Sequence, residues 1–228
     1  MPRDKPGVNS TKFTDYTRWL YKPSAAALVV LHLVGVIGLN TESYQPVFAR
    51  LTWLNLLLSF ALVIAHHRGA YGKLWLLLGY GFATGMAAEI VGVHTGLPFG
   101  RYHYTDMLGA DLWEVPWVIG MNWALLAYVS SRLAMRITRH GLPAALTGAS
   151  LMTAVDFLLE PFAIRHGFWV WHEGQPPLQN YIGWWALSLL IQLPMVRLRQ
   201  GHDNHMAYLY ALVLCLFLLA DWLCAVTA

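Results

Sequence analysis

Seven stretches of the chain are apolar, most of them on all sides when wound as helices: 24–39, 51–65, 74–93, 116–133, 142–164, 181–196 and 207–225. A helix resting on a soluble core carries an apolar stripe and a polar face, whereas one surrounded by lipid or by other helices does not. Several of the stretches approach the roughly 20 residues that cross a bilayer core, the first, second and sixth being shorter. The pattern predicts an all-α polytopic membrane bundle of about seven transmembrane helices. Residues 1–23 are expected to form a polar N-terminal tail and 24–228 a single transmembrane domain. With no early apolar segment after Met1, the tail does not read as a cleaved signal peptide.

Composition sharpens this. Hydrophobic residues make up 57% of the 228 positions and charged residues only 12%, against about 25% charged in an ordinary soluble domain. Charge placement then gives an orientation. With the N-terminus inside, the inner segments carry Arg3, Lys5, Lys12, Arg18, Lys22, Arg68, Lys73, Arg132, Arg136, Arg139, Arg197 and Arg199, leaving only Arg50, Arg101 and Arg165 for the outer ones. Basic residues accumulate on cytoplasmic loops, so the N-terminus is expected in the cytoplasm and the chain in the cytoplasmic membrane. No basic stripe suggests nucleic acid. Gly81 and Gly85 have the spacing that lets membrane helices approach closely, and Gly92 follows on the same run. Cys215 and Cys224 are nine positions apart on one predicted helix, too far for a disulfide, and read as lipid-facing or packing residues.

Ionisable groups inside a span are costly and mark functional candidates. Four carboxylates qualify: Glu89, Asp156, Glu160 and Asp221. The runs that carry them all pass from inside to outside, and each acid lies in the outer half, so all four fall at one depth. Asp156 and Glu160, four apart, share a helix face. Two carboxylates that close in an apolar site do not both ionise easily, which leaves a protonated acid beside a base and suits general acid–base chemistry. Hydrogen bonding between helices is the plainer role for such residues, and for Asp221, close to the chain end, it has equal weight.

The two longest outer connections are rich in aromatics and histidine. One contains His94, Arg101, Tyr102, His103 and Tyr104; the other contains His166, Trp169, Trp171 and His172 and leads into Asn180 and Trp184. Together they are expected to cap a site over the carboxylates, with His94, Arg101, Tyr102, Tyr104, Trp169, Trp171, Asn180 and Trp184 as substrate-binding candidates. His66, His67, His202 and His205 fall in inner loops and read as solvated. The outer histidines, with Glu89 and Asp156, offer metal-ligand chemistry, but no tight HxxxH or HExxH pair occurs, and no metal or other cofactor is expected. Lys5, Lys12, Lys22 and Lys73 all lie outside the apolar runs, so a buried Schiff base of the retinal-protein kind is excluded.

Two blocks carry a family resemblance. The first is Glu89-x-x-Gly92-x-x-Thr95-Gly96-x-Pro98-Phe99-Gly100-x-Tyr102-x-Tyr104, followed by Leu108-Gly109 and Val115-Pro116. The second is Asp156-x-x-x-Glu160-Pro161, Gly167-x-Trp169-x-Trp171 and Asn180-Tyr181-x-Gly183-Trp184. Together they resemble the membrane-bound carotenoid biosynthesis family that contains the CruF-type carotenoid 1,2-hydratases and bisanhydrobacterioruberin hydratases. The resemblance implies addition of water across the terminal C1–C2 double bond of an acyclic carotenoid end, with no redox cofactor. It implies a lycopene-, γ-carotene- or bisanhydrobacterioruberin-like substrate in the lipid bilayer, and other pigment enzymes as neighbours. Residue roles follow from chemistry: Asp156 and Glu160 as the acid and its partner, Glu89 orienting water or acting as base with His94 nearby, and aromatic faces stabilising a cation. Two other readings stand beside this one, a metal-dependent membrane lipid hydrolase using the outer histidines and a non-enzymatic isoprenoid binder.

Overall fold

A computed structural model describes residues 10–138, 141–198 and 203–227, with side chains from residue 20 onward. Seven helices run through them: α1 (Ser10–Leu39), α2 (Gln45–Ala65), α3 (Tyr71–Thr95), α4 (Trp117–Ile137), α5 (Gly141–Arg165), α6 (Leu178–Arg197) and α7 (His205–Thr227). Each contains one of the seven apolar runs almost entirely. The clearest departure is α1, which begins at Ser10, inside the expected tail. Of the residues used for orientation, Arg3, Lys5, Arg139 and Arg199 lie outside the described residues, as do His202 and the side chains of Lys12 and Arg18.

Five helices (α1, α2, α3, α5 and α7) are long and apolar enough to cross a membrane. The other two, α4 and α6, have 21 and 20 residues but a more polar make-up. Their surroundings explain the difference. Most of α4 is buried against α3, α5, α6, α2 and α7, and a helix shielded by protein needs no lipid-compatible surface. The chain is therefore an all-α polytopic membrane bundle. Its polar ends are also ordered by burial. His66 and His67, expected in solvent, are buried: His66 Nδ1 bonds the Leu62 carbonyl at 2.8 Å, and His67 Nδ1 bonds the Tyr128 hydroxyl at 2.8 Å. Burial, aided by nearby Arg132, pushes His67 down to about 4. Asn204 bonds the same Tyr128 hydroxyl and the Val63 carbonyl, tying α2, α4 and α7 together at this end.

At the opposite end the long connections are not simple loops. Strand β1 (Tyr102–Tyr104) pairs antiparallel with β4 (Trp169–Trp171), and β2 (Asp111–Leu112) pairs with β3 (Val115–Pro116). The β1–β4 ribbon joins the α3–α4 connection to the α5–α6 connection, two segments more than sixty residues apart in sequence. Helical periodicity carried no signal for either strand.

The Gly81–Gly85 face of α3 receives α4. A Cβ on Gly81 would lie 3.3 Å from the Ala124 backbone, and one on Gly85 would fall 2.4 Å from the Trp123 ring. Close approach without side chains is how helices pack in lipid, where no hydrophobic force separates them from the solvent. Gly85→Val is therefore expected to lower stability by about 1–3 kcal/mol through overpacking, read as a fall in the thermal unfolding midpoint in detergent. Gly79→Ala, whose Cβ would meet nothing within 4 Å, should leave the midpoint almost unchanged.

Candidate active site

Side chains alternate across a strand with period two, so residues i and i+2 face the same way. Tyr102-x-Tyr104 and Trp169-x-Trp171 both carry their rings at that spacing. The register sets Tyr102 opposite Trp171 and Tyr104 opposite Trp169, with His103 opposite Val170. All four large rings consequently face the bundle, while His103 and Val170 are exposed. The ribbon is extended by Thr105 N–H to the Phe168 carbonyl (3.0 Å) and by His172 N–H to the Arg101 carbonyl (3.0 Å). Gly92 of α3 makes room for it: a Cβ there would stand 2.9 Å from Phe99 and 3.0 Å from the Tyr102 hydroxyl.

Beneath the ribbon sit three buried carboxylates. Glu89, one turn and a half from the end of α3, accepts hydrogen bonds from the hydroxyls of Tyr102 and Tyr104 (the latter at 2.8 Å) and, on its other oxygen, from Trp123 Nε1 at 2.8 Å. Glu160 accepts on Oε2 from both ribbon indoles, Trp169 Nε1 at 3.0 Å and Trp171 Nε1 at 2.9 Å. Asp156, a helical turn earlier on α5, accepts on Oδ2 from Asn180 Nδ2 of α6 at 2.9 Å. All three are 1–3% exposed. The pinning differs between them. Both oxygens of Glu89 are occupied, whereas Glu160 Oε1 and Asp156 Oδ1 have no hydrogen-bond partner among the described residues. An indole N–H can only donate, so these contacts hold the carboxyls in place without taking up their protons.

The carboxylates line one chamber of about 230 Å³ to which all seven helices contribute. Its remaining walls are mostly apolar or aromatic, with a few neutral polar residues, and Trp123 is stacked on Trp184 at 3.8 Å between centroids and 16° between planes. Among the described residues no lysine or arginine lines it. Any of these acids that ionises has no lysine or arginine lining the chamber to cancel its charge, so it favours positive charge appearing there. Burial, with Glu89 and Glu160 nearby, pushes the Tyr102 and Tyr104 phenols well above their ordinary value, so both remain hydrogen-bond donors at any ordinary pH. Val34, Leu51 and Leu58 line the chamber yet are exposed on the outside of the bundle. The space thus opens sideways between α1 and α2.

Of the residues singled out from sequence, Glu89, Asp156, Glu160, Tyr102, Tyr104, Trp169, Trp171, Asn180 and Trp184 come together here. His94 and Arg101 do not. His94 is exposed, its Nδ1 bonded to the Ile90 carbonyl at 2.9 Å and its Nε2 3.8 Å from Glu114; it lies on the outer side of α3, away from the face that carries Glu89. Arg101 borders a separate shallow cleft beside His172 and Glu173, because it precedes the strand that turns inward. The fourth carboxylate, Asp221, also stands apart. It is held by Arg165, by His166 Nε2 at 2.9 Å and by Asn40 Nδ2 at 3.0 Å, joining α1, α5 and α7. Of the outer histidines, His103 and His172 meet edge-on at 6.4 Å between ring centroids, and among the described residues no group of three His, Cys, Asp or Glu is placed to hold a metal ion. Trp123, Asn122, His32 and Asn55 line the chamber without having been singled out; they sit on runs whose hydropathy carries no sign of them.

The family model described as "Carotenoid biosynthesis protein" matches residues 51–228. A curated relative, the bisanhydrobacterioruberin hydratase of Haloarcula japonica, is 34% identical over 109 residues, which cover 42% of this chain. The matched part is 36% of that relative's own length. No solved structure matches.

The hydrogen-bond pattern around Glu89 makes a prediction independent of function. Glu89→Leu would strand three buried donors, at about 1–3 kcal/mol for each left unpaired, and should sharply lower the unfolding midpoint. Glu89→Gln should recover most of that loss, because an amide oxygen still accepts from Trp123 and the tyrosine hydroxyls can rotate to accept. Equal losses in the two variants would mean that charge, and not hydrogen bonding, holds this cluster.

Proposed function

The chain belongs to the carotenoid biosynthesis protein family, and from that membership and the geometry of the chamber we propose that it is a carotenoid hydratase, adding water to the terminal C1–C2 double bond of an acyclic carotenoid end. The observation that carries this reading is a trio of buried carboxylates, unneutralised by any lining cation and fixed by aromatic N–H and O–H donors, in a greasy chamber open sideways. The proposed site lies toward the outer leaflet of the cytoplasmic membrane, the orientation that the basic residues favour.

An unactivated trisubstituted alkene needs a strong proton donor. In the proposed mechanism the polyene end enters between α1 and α2 and brings C2 toward the free oxygens of Asp156 and Glu160. One of these carboxyls gives its proton to C2, and the π electrons form the new C–H bond, leaving a tertiary cation at C1. Water adds to C1, and its surplus proton passes to the carboxylate pair, which regenerates the acid. The net change is addition of one water, with no electron transferred. Glu89, its two oxygens fully engaged, serves as the fixed negative charge facing the cation. The faces of Trp169, Trp171, Tyr102 and Tyr104 add about 0.5–2 kcal/mol each through cation–π attraction. Asn180 holds Asp156 in register, and Trp184, braced by Trp123, forms the wall against which the chain end rests.

Expression in a host that makes lycopene tests this directly. The expected result is a more polar pigment heavier by the mass of one water. Asp156→Asn and Glu160→Gln should each leave a folded membrane protein and reduce that product by about 100-fold or more, the scale of general acid–base catalysis. Retention of full activity by both variants would remove the carboxylates from the mechanism. An unchanged pigment bound to the purified protein would instead favour a carrier.

A further inference from the structure

The same chamber contains a second polar station that the hydration chemistry does not use. On the wall made by α1 and α2, opposite the carboxylates of α3 and α5, His32, Asn55 and Ser59 face an otherwise apolar space. His32 is 6% exposed, and its ring meets Tyr210 and Phe217 edge-on. Its Nδ1 lies 2.9 Å from the Leu28 carbonyl. A carbonyl can only accept, so Nδ1 carries the hydrogen, and Nε2 of the neutral ring is left as an acceptor. No protein donor reaches that nitrogen among the described residues. Asn55 is oriented in the complementary sense. Ser59 Oγ donates to Asn55 Oδ1 at 3.3 Å, which leaves the Nδ2 amide hydrogens without a protein acceptor among the described residues. Gly35, three residues after His32 on α1, lies beside Asn55. A Cβ there would stand 4.0 Å from Asn55 Nδ2 and 3.4 Å from the Phe217 ring, and the absence of a side chain keeps the space open.

Unpaired polar groups inside a bilayer are costly, and an open acceptor and an open donor on the same wall of one chamber are matched by a group that both gives and takes a hydrogen bond. We propose that His32 and Asn55 form a hydroxyl-recognition subsite, so that the isoprenoid this chamber prefers already carries an alcohol group, which donates to His32 Nε2 and accepts from Asn55 Nδ2. The inference rests on the reading that the chamber takes an acyclic isoprenoid chain. It selects among such chains and does not depend on which carboxylate moves a proton.

The test uses binding and needs no turnover. The purified full chain in detergent is titrated with farnesol and geranylgeraniol and with the hydrocarbons in which hydrogen replaces the hydroxyl. The same titrations are run on Asn55→Leu and His32→Phe, each checked for folding by its unfolding midpoint. Partition into micelles is common to all three proteins, so the alcohol-to-hydrocarbon affinity ratio reports the site. That ratio should fall about tenfold in each variant, the scale of one lost hydrogen bond. A ratio that is the same in the wild type and both variants overturns the subsite, as it would if water alone occupied the station. Failure of the alcohols, the hydrocarbons and lycopene alike to bind would overturn the isoprenoid reading beneath it, a result distinct from equal binding.

Discussion

Three carboxylates are held inside a membrane bundle by neutral donors alone among the described residues, and the rest of the site follows from that. Carboxyl groups cannot stay in hydrocarbon without hydrogen-bond partners, and a lysine or arginine partner would have cancelled the negative field. Here the partners are two tyrosine hydroxyls, three indole N–H groups and one amide. Such donors fix position while leaving the charge of the cluster unmatched. A site built this way attracts a cation and can pass a proton, which is what hydration of an alkene requires.

Two of the three acids depend on the β1–β4 ribbon for these donors, so the ribbon is part of the site's structure as well as its roof. Its strands come from different connections, and its pairing therefore also fixes how α3 and α5 stand relative to each other. Glycine at 92 lets Tyr102 descend to Glu89. The Trp123–Trp184 stack supports the floor from α4 and α6. Two other polar clusters tie the bundle together away from the chamber: Asp221 with Arg165, His166 and Asn40 at one end, and Tyr128 with His67 and Asn204 at the other. They show that a buried polar group here is not by itself a sign of chemistry. Asp221 differs from the other acids in having a guanidinium beside it.

The chain's division of labour between helices reflects the same economy. The helices facing lipid turn apolar residues such as Val30, Leu76, Phe157 and Leu212 outward and keep their acids buried, while α4, wrapped by its neighbours, carries Asn122, Ser130, Ser131 and Arg132. Polar side chains are concentrated where protein and not lipid surrounds them.

The order of apolar and polar residues determined the bundle, because a helix must satisfy its backbone internally in lipid and needs a fixed length to cross it. The depth of Glu89, Asp156 and Glu160 was equally legible, since position along a helix is position across the membrane, and the i, i+4 spacing placed two of them on one face. What only the tertiary structure decided was who meets whom. Tyr102, Tyr104, Trp169 and Trp171 could be seen to lie near the acids, but their strand pairing joins segments far apart in sequence, which no local period reveals. His94 and Arg101 lie in the same sequence block as residues of the site and yet face away, because direction around a helix or strand is settled by packing. His66 and His67 are covered by packing that a loop position does not reveal. Helix azimuth and long-range pairing are set by neighbours, and neighbours exist only once the chain is folded.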